Sequence, residues 1–342
     1  MATTITGTTI DVGPNKLVSD SSGNVTASGV LSDPSGNVRA GRKNWIINGS
    51  VIVSQRASYA TAVSMTTQAY YQDRWTTVIN NGVAATIQTK STDQPNGQVG
   101  NCIRVITSAG SSAAECVVDQ RVENPQQFAG KTLTFSVWMK SNTNKAGISH
   151  YNNQDSFVAP TNHTGGGAWE KLTLTHTVNA TGPTDFRLRL GMSQSGNTVV
   201  GVGDYFEVTE AQMEYGSVAT DFEHRSYGEE LADCQRYYCS SYKVGQYAGG
   251  NHIDTCIREV SNGLNYQNIG NFNFPVQMRT APTLIIYNPV TGTVNSFRGD
   301  GSNYSNAASH PSTNTGCNFY TSGIAVGVTI FISIHATFNA EL

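Results

Sequence analysis

In a chain of 342 residues only 13% of side chains are charged, the net charge is −3, and the 21 lysines and arginines are scattered singly, which argues against a nucleic-acid footprint. Gly, Ser, Thr, Asn and Val dominate while good helix formers are sparse, a mixture that favours an all-β fold. The opening MATTITGTTIDV has no basic or apolar signal region and no apolar run approaches the roughly 18 residues that cross a bilayer, so neither standard export nor membrane insertion is expected.

The first element is an extended arm, residues 1–43. Ser19-Asp20-x-Ser22-Gly23-Asn24-Val25 returns thirteen residues later as Ser32-Asp33-x-Ser35-Gly36-Asn37-Val38. Each copy reads as a turn followed by a very short strand, and the only large apolar residues are Val25, Val30, Leu31 and Val38. Ordering a residue costs about 1–2 kcal/mol of backbone entropy, against roughly 1.5–3 kcal/mol returned by burying a Val or Leu. The arm therefore needs a partner surface, either another protein or further copies of the same chain wound about a shared axis. Those four residues are its docking or oligomerisation candidates.

From residue 44 to 226 strand patterns recur between turn signals: VAATIQTK, NCIRVITS, KTLTFSVWMKS, WEKLTLTHTV, DFRLRLGMS and GDYFEVTEAQMEYG. In KTLTFSVWM, Leu133, Phe135, Val137 and Met139 alternate with Thr132, Thr134, Ser136 and Trp138, the period of a strand with two unlike faces. So many strands in one stretch predict a β-sandwich of the jelly-roll type. Trp75 and Trp169 read as core; Trp138, on the polar side of its strand, reads as an exposed platform or subunit contact. His176 shares a face with Leu172 and Leu174 and reads as a core histidine.

One linking helix is predicted in YGEELADCQRYYCSSY, where Glu229 and Glu230 favour a helix start and Leu231, Cys234, Gln235 and Tyr238 share a face. Residues 227–342 then hold that helix and a distal C-terminal β-sandwich domain. Its strands are expected in FNFPVQMRTAPTLIIYNPVTGTVNSF, split by the NPVTG turn, and in the terminal run with Val326, Val328, Ile330, Ile332 and Ile334.

Catalytic motifs are sought without result. No G-x-S-x-G occurs, HTGGG at residues 163–167 lacks a nucleophile, and no spacing singles out the paired carboxylates of a glycosidase. The seven histidines never fall at i, i+2 or i, i+4, and the six cysteines form no C-x-x-C, so packed, reduced thiols are expected. Arg298-Gly299-Asp300 is the adhesion triplet, a match expected by chance in a Gly-rich loop.

An ordered series carries a family resemblance: NWIINGSVIVSQRA, YYQDRW, GKTLTFSVWMKSN, GAWEKLTLTHTV and EVTEAQMEYGSVATDFEHRSYGEELADCQRYY, then FPVQMRTAPTLIIYNPVTGT. Over residues 44 to 300 it resembles bacteriophage tail-fibre and minor structural proteins that place a carbohydrate-binding-module-like jelly roll before a distal domain. The resemblance implies a non-enzymatic virion component, usually a homotrimer assembled in the host cytoplasm, with its N-terminus docked on other virion proteins and its C-terminus directed at a host surface glycan. The alternatives are a head or tail decoration or adaptor protein that grips other viral subunits, and a glycan depolymerase. No cofactor is expected; sandwiches of this type often carry a structural calcium, for which Asp73, Asp204 and Glu210 are candidate oxygen ligands.

The receptor contact is expected at the tip. Between NSFRGDG and the terminal strand lie about thirty residues in which Tyr304, His310, Phe319 and Tyr320 stand among Ser, Asn and Gly. A long loop of aromatic and small polar residues suits adaptable recognition, with Trp138 as the other candidate.

Overall fold

The computed structural model describes residues 9–12, 15–19, 25–28, 32–33, 36–37, 43–97, 100–112, 114–192, 199–260, 266–305, 307–309, 313–322 and 329–342; before residue 43, and at 266–270, 307–309 and 321–322, the backbone alone is described. Its regular structure is nearly all antiparallel sheet, with one α-helix, Tyr227–Gln235, among the described residues. The chain is an all-β protein built on a β-sandwich. In the arm, Thr9–Val12, Asn15–Ser19 and Val25–Ser28 form a three-stranded sheet, and Ser32–Asp33 pairs with Gly36–Asn37. Val25 opens the third of these strands; Val30, Leu31 and Val38 lie outside the described residues.

The sandwich begins at Lys43 and Asn44, whose backbone N–H groups both donate to Glu223 at 2.9 Å. Its first sheet runs in the order Ser156–Phe157, Ala146–Asn152, Phe186–Met192, Cys116–Arg121, Thr76–Ile79, with Thr161–Asn162 also beside Ala146–Asn152. Its second runs Trp169–Thr177, Thr132–Ser141, Tyr205–Tyr215, Cys102–Ala109, Ala84–Lys90, Val63–Ser64. Alternation decides what meets between them. Leu133, Phe135, Val137 and Met139 from the second sheet are fully buried against Val118, Ile148, Phe186, Leu188 and Leu190 from the first. Each such side chain stabilises the fold by roughly 1.5–3 kcal/mol.

Three sandwich strands of four or more residues escape the sequence pattern: Thr76–Ile79, Cys116–Arg121 and Ala146–Asn152. All three belong to the first sheet. The linking helix is also shorter than expected. Ser226 caps it, its Oγ accepting from the Glu229 N–H while Glu229 accepts from the Ser226 N–H, and it ends at Gln235. Tyr238–Ser240 is instead an edge strand on Phe331–Asn339, because Tyr238 and Cys239 are buried between that strand and the sandwich.

In the distal part, Phe331–Asn339 pairs with Tyr238–Ser240, Ile257–Val260, Thr283–Tyr287 and Ser296–Gly299. A second sheet orders Tyr266–Asn273, Gly316–Ser322 and Ala307–Ser309. Between them Met278, Ile286, Phe297, Phe319, Ile332, Ile334 and Phe338 form a second core. Ile332 and Ile334 lie in the expected terminal strand; Val326 and Val328 fall outside the described residues.

The two cores are tied together through buried charge. Arg74 lies over the Tyr237 ring at 3.6 Å and pairs with Glu341, which also holds Arg56 at 3.0 Å. Glu123 accepts from Arg236 and from the Tyr237 hydroxyl, both at 2.7 Å. Cys234 and Tyr237 pack on Ile47 and Val53, so the helix docks on the sandwich by an apolar seam rimmed with ion pairs.

Candidate functional site

The first sheet turns its second face away from the sandwich core, and strand alternation fixes which residues that face carries. Val118 points inward along Cys116–Arg121, so Val117, Asp119 and Arg121 point outward. Register aligns them in rows. Tyr151, Arg187 and Arg121 form one row, Ser149, Arg189, Asp119 and Thr76 the next, and Gly147, Gly191, Val117 and Val78 the third. Neighbours within a row are about 4.8 Å apart.

The third row is closed. A Cβ on Gly147 would stand 2.5 Å from both the Thr161 carbonyl and the Asn162 side-chain oxygen, so only glycine admits that covering segment. Gly191, at φ +142°, is pressed as closely on the Cys116 carbonyl.

The middle row holds a carboxylate without hydrogen-bond donors. Asp119 is fully buried, and neither of its side-chain oxygens accepts a hydrogen bond among the described residues. Arg189 Nε stands 3.9 Å away, while the same guanidinium is bound to Glu115 at 3.0 Å. Burial pushes the Asp119 carboxyl up to about 6, a rise that the charges of Arg189, Arg187 and Arg121 only partly oppose.

The first row is the rim. Arg187 grips Asp185 with Nε at 3.0 Å and Nη2 at 2.6 Å. Arg121 directly opposite comes no nearer to Asp185 than 3.6 Å, and its side chain is 37% exposed. Aromatic faces continue the surface: Arg187 lies 5.5 Å from the Tyr151 ring and Arg189 4.9 Å from that of Phe157, itself 45% exposed.

These rows shape a groove. Asp119 lines a cavity of about 400 Å³ walled by Gln68, Tyr70, Thr76, Arg121 and Arg187. Arg121 also borders a second cavity of about 670 Å³ with Glu123, Gln126, Asp185 and Arg279. An acceptor that requires donors, guanidiniums at its rim and aromatic faces beside it are the equipment for holding a polyhydroxylated molecule.

None of these residues is singled out by the sequence pattern, although a signal was there. DFRLRLGM and CVVDQR place charges at alternate positions of strands, Arg187 and Arg189 in the first and Asp119 and Arg121 in the second, which puts the charges of each strand on one face.

The opposite face of the sandwich carries Trp138. It is half-buried in a strand whose outward neighbours are Lys171 and Thr209. Charges there are already paired, Lys90 with Glu207 at 3.1 Å and Lys140 with Asp93 at 2.5 Å. Trp169, expected in the core, lies on this outer face opposite Lys140 and donates from Nε1 to the Asp93 carbonyl at 2.8 Å. Leu172 and Leu174 face inward as expected, and the period of two then turns Trp169, an odd number of residues before them, outward. Trp75 is buried. His176 is partly buried, bonded to Asp155 at 3.2 Å.

The expected tip loop is largely strand. Ser302–Ser305, Ala307–Ser309 and Gly316–Ser322 occupy it. Phe319, a receptor candidate on the sequence pattern, is fully buried in the second core, because its strand turns it onto Phe338. Tyr304 is half-buried and stacks on Phe297 at 4.9 Å. Tyr320 is half-buried opposite Asn268 and Ala308, and His310 lies outside the described residues. Asp300, in the turn after Arg298 and Gly299, accepts from the Phe331 N–H at 2.9 Å.

The calcium candidates stay apart in their bonding. Asp73 accepts from the Gln55 N–H at 2.6 Å, Asp204 pairs with Lys145 at 2.9 Å, and Glu210 lies 3.9 Å from His224. Among the described residues no group of three or more His, Cys, Asp or Glu side chains is placed to hold a metal ion.

No protein-family model matches this chain, and no curated protein matches it. Solved structures similar to it include the enzymatically active domain of bacteriophage CBA120 tailspike protein 4, at 13% identity and a TM-score of 0.34, over 50% of this chain and 21% of that one. The CBM22-1 xylan-binding domain from Paenibacillus barcinonensis Xyn10C is 12% identical, with a TM-score of 0.30, over 49% of this chain and all of its own length. The family 11 carbohydrate-binding module of Clostridium thermocellum Lic26A-Cel5E is 11% identical, with a TM-score of 0.30, over 46% of this chain and 95% of that one.

Proposed function

We propose that this chain is a non-enzymatic structural component of a phage virion, a trimeric tail fibre that recognises a host surface glycan through the outer face of its first sheet. One observation carries the glycan reading: Asp119, fully buried at the floor of a groove, lacks donors that sugar hydroxyls would supply. A buried carboxylate without donors costs stability, so its retention fits a ligand that supplies them. The virion role and the trimer rest on the ordered sequence resemblance and on the apolar residues of the doubled arm.

The test is a glycan array probed with the full chain and with Asp119→Asn. Binding by the parent chain that the variant loses, while both melt cooperatively, is the expected result; no glycan bound by either would overturn it. Sedimentation is expected to give the mass of three chains of 36.6 kDa each, and a single-chain mass at micromolar concentration removes the trimer.

A further inference from the structure

Which glycan the groove takes follows from its charge, given the glycan-binding reading above. We propose that the ligand is an acidic saccharide, its anionic group on the Arg121 and Arg187 guanidiniums and its ring hydroxyls on Asp119. Arg121 and Arg187 are directly opposite each other on adjacent strands, an arrangement of like charges that is destabilising unless an anion lies between. Asp185 is that anion, but it is hydrogen-bonded to Arg187 and only at ion-pair distance from Arg121. It is engaged by Nε and Nη2 of Arg187, while Arg121 stays 3.6 Å off. The Arg121 fork, paired with Asp185 only at ion-pair distance, thus keeps its donors without a hydrogen-bonded acceptor among the described residues, and a planar guanidinium fork matches a carboxylate or phosphate two bonds at a time.

Arg189 does not add to this demand, since Glu115 takes its charge at 3.0 Å. Asp119 supplies the complementary requirement. Its two unfilled oxygens can accept from two neighbouring hydroxyls, whereas a cationic amino sugar would have to enter among three guanidiniums, those of Arg121, Arg187 and Arg189. A neutral sugar would fill Asp119 and leave Arg121 as it is. An acidic sugar answers both.

The experiment uses the full chain on an array that pairs each acidic glycan with a neutralised counterpart: uronic and sialic acids with their methyl esters, phosphorylated and sulfated sugars with the unmodified sugar. Signal from acidic glycans at least tenfold above their neutral counterparts is expected, and Arg121→Gln should bring the members of each pair together without lowering the melting temperature. The carboxylated and phosphorylated or sulfated arms identify which anion serves. Binding confined to neutral glycans, or untouched by esterification, overturns the acidic assignment and leaves glycan binding standing. No binding to any glycan overturns both.

Discussion

Asp119 Oδ2 and Arg189 Nε stand 3.9 Å apart on adjacent strands, too far for a hydrogen bond, while Glu115 holds the Arg189 guanidinium at 3.0 Å. The nearest cation to Asp119 is thus committed elsewhere. A fully buried carboxylate is left with Coulombic attraction and no donor among the described residues.

That arrangement has a pH signature. The folded chain holds the Asp119 proton until about pH 6, whereas the carboxyl's ordinary value is 3.8. Between these values the folded state binds a proton the unfolded state has released, so the stability tied to it is present at low pH and lost as pH rises through 6. Asp119→Asn is therefore expected to stabilise the protein at pH 8 by about 2–3 kcal/mol, at roughly 1.4 kcal/mol per unit, with no gain at pH 4. Urea titrations of parent and variant at both pH values measure it, and the difference between them removes the contribution of Asp73, whose carboxyl burial likewise pushes up to about 6. A variant less stable at pH 8 would mean that the carboxylate has donors after all.

The junction between the two cores depends on Glu341. Arg74 is 2% exposed and Glu341 4%, and the ring of Tyr237 covers the guanidinium. Removing one member of a buried pair leaves the other charge uncompensated, at a cost of about 3–5 kcal/mol. Glu341→Gln should show this loss in chemical denaturation and split the transition in two, the distal part unfolding first. A single unshifted transition would show that the apolar seam of Ile47, Val53, Cys234 and Tyr237 suffices.

Much of the sandwich is legible because burial on one side writes a period of two, as in Leu133, Phe135, Val137 and Met139. The first sheet is less legible, since its outer face is also buried. Val117, Asp119 and Ser149 are as hidden as their inward neighbours, so CVVDQR and AGISHYN lose the contrast that marks a strand. The candidate site lies on those same strands. Its residues meet only through register across three strands, from Tyr151 to Arg187 to Arg121, a pairing that no local spacing records. The burial of Phe319 is illegible for a related reason: it sits among small polar residues in sequence, and only the strand Gly316–Ser322 turns it inward.

Ser226 offers a local measure of how the helix is held. Its hydroxyl and the Glu229 side chain satisfy each other's backbone N–H groups at the start of Tyr227–Gln235. Ser226→Ala is expected to cost about 1 kcal/mol. The same loss should appear in Glu229→Ala, and the double variant should lose less than the sum, as a reciprocal pair requires.

The distal aromatics separate a packing role from a contact role. Phe319→Ala empties a fully buried position against Phe338 and is expected to cost about 3–5 kcal/mol. Tyr304→Ala removes a half-buried ring stacked 4.9 Å from Phe297, a pair worth about 0.5–1.5 kcal/mol beyond the area it covers. Tyr320, half-buried at a strand end, is expected to change stability by no more than about 1 kcal/mol. If the groove holds the glycan, cell adsorption should follow stability across these three variants, falling with Phe319→Ala and unchanged with Tyr320→Ala. Adsorption lost in Tyr320→Ala at undiminished melting temperature would place the contact at the distal sheet, and binding by the groove would then have to be reassigned to another ligand.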